Sequence, residues 1–226
     1  MDVAPGVQTS VRVYGDADAR TLILAHGAGA GHQSQFMVAC AGALSDLDIS
    51  VVTFNFIYTE QGRRLPDRPA LLERCYRAVI AAVRDEIGDR PLFAGGKSMG
   101  GRIATQVAAA DPGLDLAGLV LLGYPLHPPG KPDQRRDAHL PSVAAPLLFV
   151  QGSRDTFGTP AELAPVLARI GDRATLHVVE GGDHSFKVSG NDREEQNAVH
   201  AGLYRRVADW MTAITDTSAR TRPRPA

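Results

Sequence analysis

Along this chain, short runs that are apolar throughout alternate with longer stretches in which apolar residues recur every three or four positions. The short runs predict strands over Val11–Tyr14, 21–25, 51–56, 91–94, 116–122, 146–151 and Ala174–Val179. Runs such as LVLL and LLFV show no alternation, as expected of parallel strands covered on both faces. Helical spacing predicts helices over 34–44, Pro69–Ile87, Met99–Ala110, 161–170 and 195–214. Phe36, Cys40 and Leu44 share one face of the first; Leu72, Tyr76, Val79 and Val83 share one face of the second.

Strands alternating with helices predict an α/β fold, a three-layer αβα sandwich around a mostly parallel sheet. The pattern supports one domain over residues 1–214 and has no internal repeat. Residues 124–141 are Pro-rich and charged, and read as a surface connection. Residues 215–226 are polar and Pro-containing, and predict a disordered tail.

Composition narrows the possibilities. The 226 residues are 44% hydrophobic and 22% charged, the profile of a soluble globular protein. Lys+Arg 24 against Asp+Glu 25 gives no electrostatic footprint for nucleic acid or an acidic membrane. The opening MDVAPGVQTS lacks the charged and apolar regions of a signal peptide, and no apolar run approaches the roughly 20 residues of a membrane span. A cytoplasmic protein is expected. Two cysteines, Cys40 and Cys75, are too few for a disulfide framework or a Cys-based metal site, and both read as buried free thiols.

The stretch LFAGGKSMGGR, residues 92–102, carries two overlapping motifs. Gly96-Lys97-Ser98 is the end of a phosphate-binding loop, but the glycine that loop needs five positions earlier is Pro91. Proline has no N–H and a fixed φ, so that reading fails. Gly96-Lys97-Ser98-Met99-Gly100 is also G-x-S-x-G, between a predicted strand and a predicted helix. That is the context of a nucleophile elbow, which presents Ser98 at a helix N-terminus.

A serine hydroxyl needs a base, and the base an acid to orient it. The elbow demands acid then histidine, each just past a later strand. PLLFVQGSRD puts Asp155 after one strand and ATLHVVEGGDH puts His184 after the next. His26 and His177 lie in or beside strands and read as structural, while Asp183 and Glu180 neighbour His184 only in sequence. The oxyanion hole should combine the Met99 amide with one from the loop HGAGAGHQSQF, where Ala28 is the first choice and Gly29 the second. A dinucleotide-binding reading of that loop fails, because His32 stands where the third glycine belongs and the following strand ends without an acidic residue.

Phe36, Tyr124, Phe157 and Phe186, with Met99, are candidates to line an acyl pocket, although each is equally explained by packing. The connection after the strand 116–122 is too short for a large helical cap.

With these residues in place, the chain resembles the α/β-hydrolase superfamily, and within it the small dienelactone-hydrolase-like members. It is most similar to the branch that includes a testis-expressed hydrolase-like protein and the hydrolase-like domain of a histone acetyltransferase complex subunit. LAHGAGAG, LFAGGKSMGGRIA, LVLLGYPLHPPGKP, LLFVQGSRDTFGT and VVEGGDHSFK carry the resemblance. It implies Ser98 as nucleophile, Asp155 as acid and His184 as base. One departure is Ile57 in FNFIY, where members are expected to carry proline. The expected function is hydrolysis of a small-molecule ester or thioester through an acyl-enzyme on Ser98, needing no metal or organic cofactor. A peptidase on the same triad and a non-catalytic binding or scaffold protein on the same fold are the alternatives.

Overall fold

The computed structural model describes residues 1–4, 7–16 and 20–221. Among these residues nine strands and six α-helices follow in chain order: β1 (Asp2–Ala4), β2 (Val7–Gln8), β3 (Val11–Tyr14), β4 (Arg20–Ala25), α1 (Gln35–Ser45), β5 (Ile49–Phe54), α2 (Ile57–Glu60), α3 (Pro69–Ile87), β6 (Leu92–Lys97), α4 (Met99–Ala110), β7 (Gly118–Leu122), β8 (Leu147–Gly152), α5 (Pro160–Ile170), β9 (Ala174–Val179) and α6 (Arg193–Thr221).

Seven strands form one sheet in the order β3-β5-β4-β6-β7-β8-β9, parallel except for β3 at the edge. The pleat sends alternate residues to opposite faces. Ile23, Phe54, Ala94, Leu121 and Phe149 pack with residues of α3, α4 and α5. Leu22, Val51, Phe93, Val120 and Val150 pack with residues of α1 and α6. This is the three-layer sandwich expected from the sequence, with strands buried on both faces. Cys40 and Cys75 are free and buried, in the cores on opposite faces.

Local chemistry sets the helix boundaries. Pro160 opens α5 behind a capping box in which Thr159 and Glu162 satisfy each other's backbone N–H groups. Pro69 opens α3, and Arg84 near its end donates to the carbonyls of Gly88 and Arg90. Ile57, where proline was expected, is the first residue of α2, a position that proline and isoleucine can both fill because its N–H has no helical partner.

Two features differ from the sequence reading. A short antiparallel pair, β1 with β2, precedes the main sheet and buries Val3 in the α3-side core. The final helix runs on through Thr221, so residues 215–221 are helical rather than a disordered tail, and 222–226 lie outside the described residues. Polarity misled the reading there: the Thr215 and Thr217 hydroxyls donate to the Met211 and Ala213 carbonyls one turn back, so polar residues continue the helix at little cost.

The chain runs from β4 leftward to β5 and then returns past β4 to β6. Beyond the C-terminal ends of β4 and β6 this reversal opens a crevice, the place where such sheets bind ligands. One side chain holds its two walls in register. Tyr76 of α3, fully buried, donates its hydroxyl to Gly95 O at 2.7 Å, with Ile23 O at 3.1 Å, and accepts from Gly95 N–H at 2.9 Å. Tyr76→Phe strands these buried backbone groups, each worth about 1–3 kcal/mol when unsatisfied. The expected outcome is a loss of roughly 2 kcal/mol in chemical denaturation, within that range.

Candidate active site

β6 delivers Ser98 through a turn that only bare backbone allows. A Cβ on Gly96 or Gly100 would lie 2.4 Å from Ala25 O, and one on Gly100 would also meet His26 O at 2.8 Å. These are backbone atoms that cannot swing aside. Ser98 itself adopts φ 51° and ψ −115°, a strained conformation for a residue with a side chain. Its N–H donates to Leu122 O and its carbonyl accepts from Arg102 N–H, so both neighbouring elements hold the strain in place.

Ser98 Oγ lies 2.8 Å from His184 Nε2, and His184 Nδ1 lies 2.8 Å from Asp155 Oδ2. The three residues that the sequence separates are thus joined in one hydrogen-bonded chain. The Asp155 side chain is wholly buried, so its oxygens need donors. Oδ2 also accepts from Gln151 Nε2 at 2.7 Å, and Oδ1 accepts from Phe157 N–H at 2.8 Å. An ionised Asp155 can only accept, so Nδ1 carries the imidazole proton and Nε2 is free to take one from Ser98. The Phe157 ring stacks on His184 with centroids 4.1 Å apart and fixes the ring plane.

The loops that carry Asp155 and His184 are stitched together. Ser153 N–H and Arg154 N–H donate to Val179 O and Gly182 O, and Gly181 N–H donates to Ser153 Oγ. Asp183, a rival acid by sequence proximity, accepts from the amides of Ser185 and Lys187 with Oδ1 and shapes the loop that carries His184 instead.

Lys97 reaches the same loop. Its Nζ donates to His184 O at 2.5 Å and lies over the rings of Phe36 and Phe186. Burial lowers its pKa to about 8, against the opposing pull of Asp155 and Asp183. Gly123 makes room for this contact: a Cβ there would lie 2.8 Å from Lys97 Nζ and 3.1 Å from His184 O.

The loop after β4 is held by His26, which is fully buried. Its Nε2 accepts from Phe56 N–H at 3.2 Å, so Nδ1 must donate to Gly27 O at 2.8 Å. This fixes a neutral tautomer, and burial depresses the pKa to about 4. His32 anchors the same loop through its own N–H, which donates to Asn55 Oδ1.

A cavity of about 750 Å³ opens over Ser98. Ala28 and Met99 line it together with Ser98 and His184, whereas Gly29 does not. Of the four pocket candidates, Phe36 and Phe157 are on the wall. Tyr124 and Phe186 are not, and this corrects the sequence reading. Tyr124 is buried with its ring edge-on to Phe149 and its hydroxyl donating to Arg136 O. Phe186 turns inward at φ 63° and is fully buried against Phe36. Loop position placed both near the site, but it could not say which way their rings turn.

The sequence reading missed Gln151, whose Nε2 donates to Asp155 and Gly158 O while its Oε1 accepts from Tyr124 N–H. The signal was a lone amide at the end of an otherwise apolar strand. It also passed over Arg102 and Arg136, which line the cavity. Among the described residues, no group of His, Cys, Asp or Glu could hold a metal ion, and no helix is long and apolar enough to cross a membrane.

A family model described as "Alpha/beta hydrolase domain" matches residues 18–212. Solved structures share the fold. A dienelactone hydrolase from Anabaena variabilis is 18% identical with a TM-score of 0.72, over 92% of each chain. An alpha-beta serine hydrolase homologue from Coxiella burnetii is 19% identical with a TM-score of 0.68, over 90% of this chain and 93% of the other. A serine hydrolase without a lid from Xanthomonas campestris is 22% identical with a TM-score of 0.67, over 89% of each.

Two predictions follow from this geometry. Ser98→Gly relieves the strained φ, whereas Ser98→Ala keeps it. After allowing for the entropy of glycine in the unfolded chain, Ser98→Gly should be the more stable of the two by about 1 kcal/mol, read from denaturation midpoints. Stability should also fall with acid. His26 and His139 both have folded pKa values lowered from 6.5 to about 4, mainly by burial. Unfolded chains therefore bind more protons between those values, and stability drops as pH falls from about 6.5 towards 4. His139→Gln should flatten part of that fall in denaturant midpoints measured across the range.

Proposed function

The chain belongs to the α/β-hydrolase family, and from that premise we propose that it is a serine hydrolase cleaving a carboxylic ester or thioester through an acyl-enzyme on Ser98. The observation that carries the reading is the hydrogen-bonded chain Ser98–His184–Asp155, with both links at 2.8 Å. The likeness to a dienelactone hydrolase and to serine hydrolases is in keeping with it. The narrower resemblance, to the branch with the testis-expressed protein, rests on the GGKSMGGR and GYPLHPPGKP stretches.

In this mechanism Ser98 Oγ attacks the substrate carbonyl while His184 Nε2 removes its proton. Asp155 faces the resulting imidazolium and stabilises it. The carbonyl oxygen gains negative charge and is met by the amides of Met99 and Ala28, at the positive end of α4. His184 then gives its proton to the departing alcohol or thiol. Water repeats the sequence on the acyl-enzyme and frees Ser98. Gln151 acts on the acid: it fixes the Asp155 carboxylate so that Oδ2 faces the ring.

Fluorophosphonate labelling tests the nucleophile. Wild type should label and Ser98→Ala should not, while His184→Gln and Asp155→Asn should each slow ester hydrolysis by about 10³-fold or more. Wild type labelling no faster than Ser98→Ala would replace this reading with a non-catalytic binding role. A panel of p-nitrophenyl esters, acyl thioesters and short peptides then fixes the bond, and a strong preference for peptides would remove the esterase assignment.

A further inference from the structure

The loop that carries His184 has many bonds to the loop of Asp155, but few to the strand that carries Ser98. Among the described hydrogen bonds, β6 and its turn reach it through Ser98 Oγ and Lys97 Nζ alone. The first of these is lost during the proposed reaction. Once Ser98 is acylated its oxygen has no proton to donate, and the neutral imidazole offers Nε2 only as an acceptor. The Lys97 contact is then what still joins the two elements.

Lys97 is placed for that task. It ends β6, directly before Ser98, and shares a sheet face with Phe93, the face that packs on α1 and α6. It is only 9% exposed, and lysine is rarely buried without a partner. The rings of Phe36 and Phe186 flank Nζ, with centroids 5.8 and 5.2 Å away. Among the described hydrogen bonds, His184 O is its acceptor, and that carbonyl accepts from no other donor. The titratable groups that face Nζ are Asp155 after β8, and Asp183 and His184 after β9; α1 brings the Phe36 ring, and bare Gly123 follows β7. Both carboxylates favour the ammonium, but neither forms an ion pair with it among the described residues, and burial outweighs them.

We propose that Lys97 is a positioning residue for the second half of the reaction: its ammonium, anchored to the carbonyl of His184, keeps the imidazole in place while Ser98 carries the acyl group. This rests on the reading of Ser98 as the nucleophile. In that interval a water oxygen bonds to the acyl carbon as its proton passes to His184 Nε2. The bond from that carbon to Ser98 Oγ then breaks, and Nε2 returns the proton to Oγ. Acylation starts from a ring that Ser98 itself holds at 2.8 Å, and deacylation has no such help. An ammonium also makes a stronger hydrogen bond than a neutral amine. The pKa of Lys97 is lowered to about 8, so mildly alkaline solution weakens the anchor.

The test separates the two halves of turnover. Fluorophosphonate labelling reads attack by Ser98 alone. With 4-nitrophenyl butyrate, whose good leaving group makes acylation fast, kcat reads deacylation. Lys97→Met, similar in length and uncharged, should lower kcat by about tenfold while the labelling rate stays within about twofold of wild type. KM should fall with kcat. In wild type kcat should decline as pH rises from about 7 to about 9, a limb that Lys97→Met lacks. Ethylammonium should restore kcat to Lys97→Ala, whereas 2,2,2-trifluoroethylamine, uncharged at the same pH, should not. Stability should move the other way. Lowering the Lys97 pKa from 10.5 to about 8 leaves the unfolded chain holding more protons between those values, so wild type gains stability relative to Lys97→Met there. A fall in kcat over that window is then not a loosening of the fold.

Labelling and kcat slowed by the same factor in Lys97→Met, or a wild-type kcat that does not decline with pH, overturns the proposal and leaves Ser98 as the nucleophile. A wild type that labels no faster than Ser98→Ala overturns the nucleophile reading, and this proposal with it.

Discussion

The site depends on a close approach between two backbones. Ala25 O at the end of β4 lies so near the elbow that neither Gly96 nor Gly100 could carry a methyl group. This contact sets the first residues of α4 against the loop that begins at His26. Ala28 and Met99, from different elements, thereby come to line one cavity. It also fixes where Ser98 must turn, and the strain at φ 51° is a consequence. Stability is spent at the elbow to aim one hydroxyl.

Around that turn the molecule excludes mobile charge with unusual care. His26 is held neutral by two backbone partners, so it adds no charge to the loop above the serine. Asp155 has no solvent contact and three donors on its two oxygens. Lys97 holds the His184 loop from below through a carbonyl, which leaves the imidazole nitrogens free for Ser98 and Asp155.

Much of this was legible beforehand. Apolar runs such as LLFV announced strands because a doubly covered strand has no polar face, and the sheet imposed the chain order Ser98, Asp155, His184 on the site. What stayed hidden was direction. Tyr124 and Phe186 occupy loops beside the cavity, but their rings turn into the core, a choice made by Phe149 and Phe36 across the fold. Gln151 looked like the end of a strand, and only contacts with Tyr124, Asp155 and Gly158 reveal its role. The extension of α6 through 215–221 was obscured because polar threonines can satisfy their hydroxyls within a helix.

The two thiols have a use beyond filling space. Cys40 is sealed beneath α1 and Cys75 beneath α3, so they sample opposite layers of the sandwich. Burial raises both pKa values, that of Cys75 to about 12, so neither sulfur is a thiolate in the native fold. An alkylating reagent can reach them only when a layer lifts from the sheet. The relative pace of modification at the two sulfurs therefore reports which side of the protein opens first, with no label introduced and no residue near the serine disturbed.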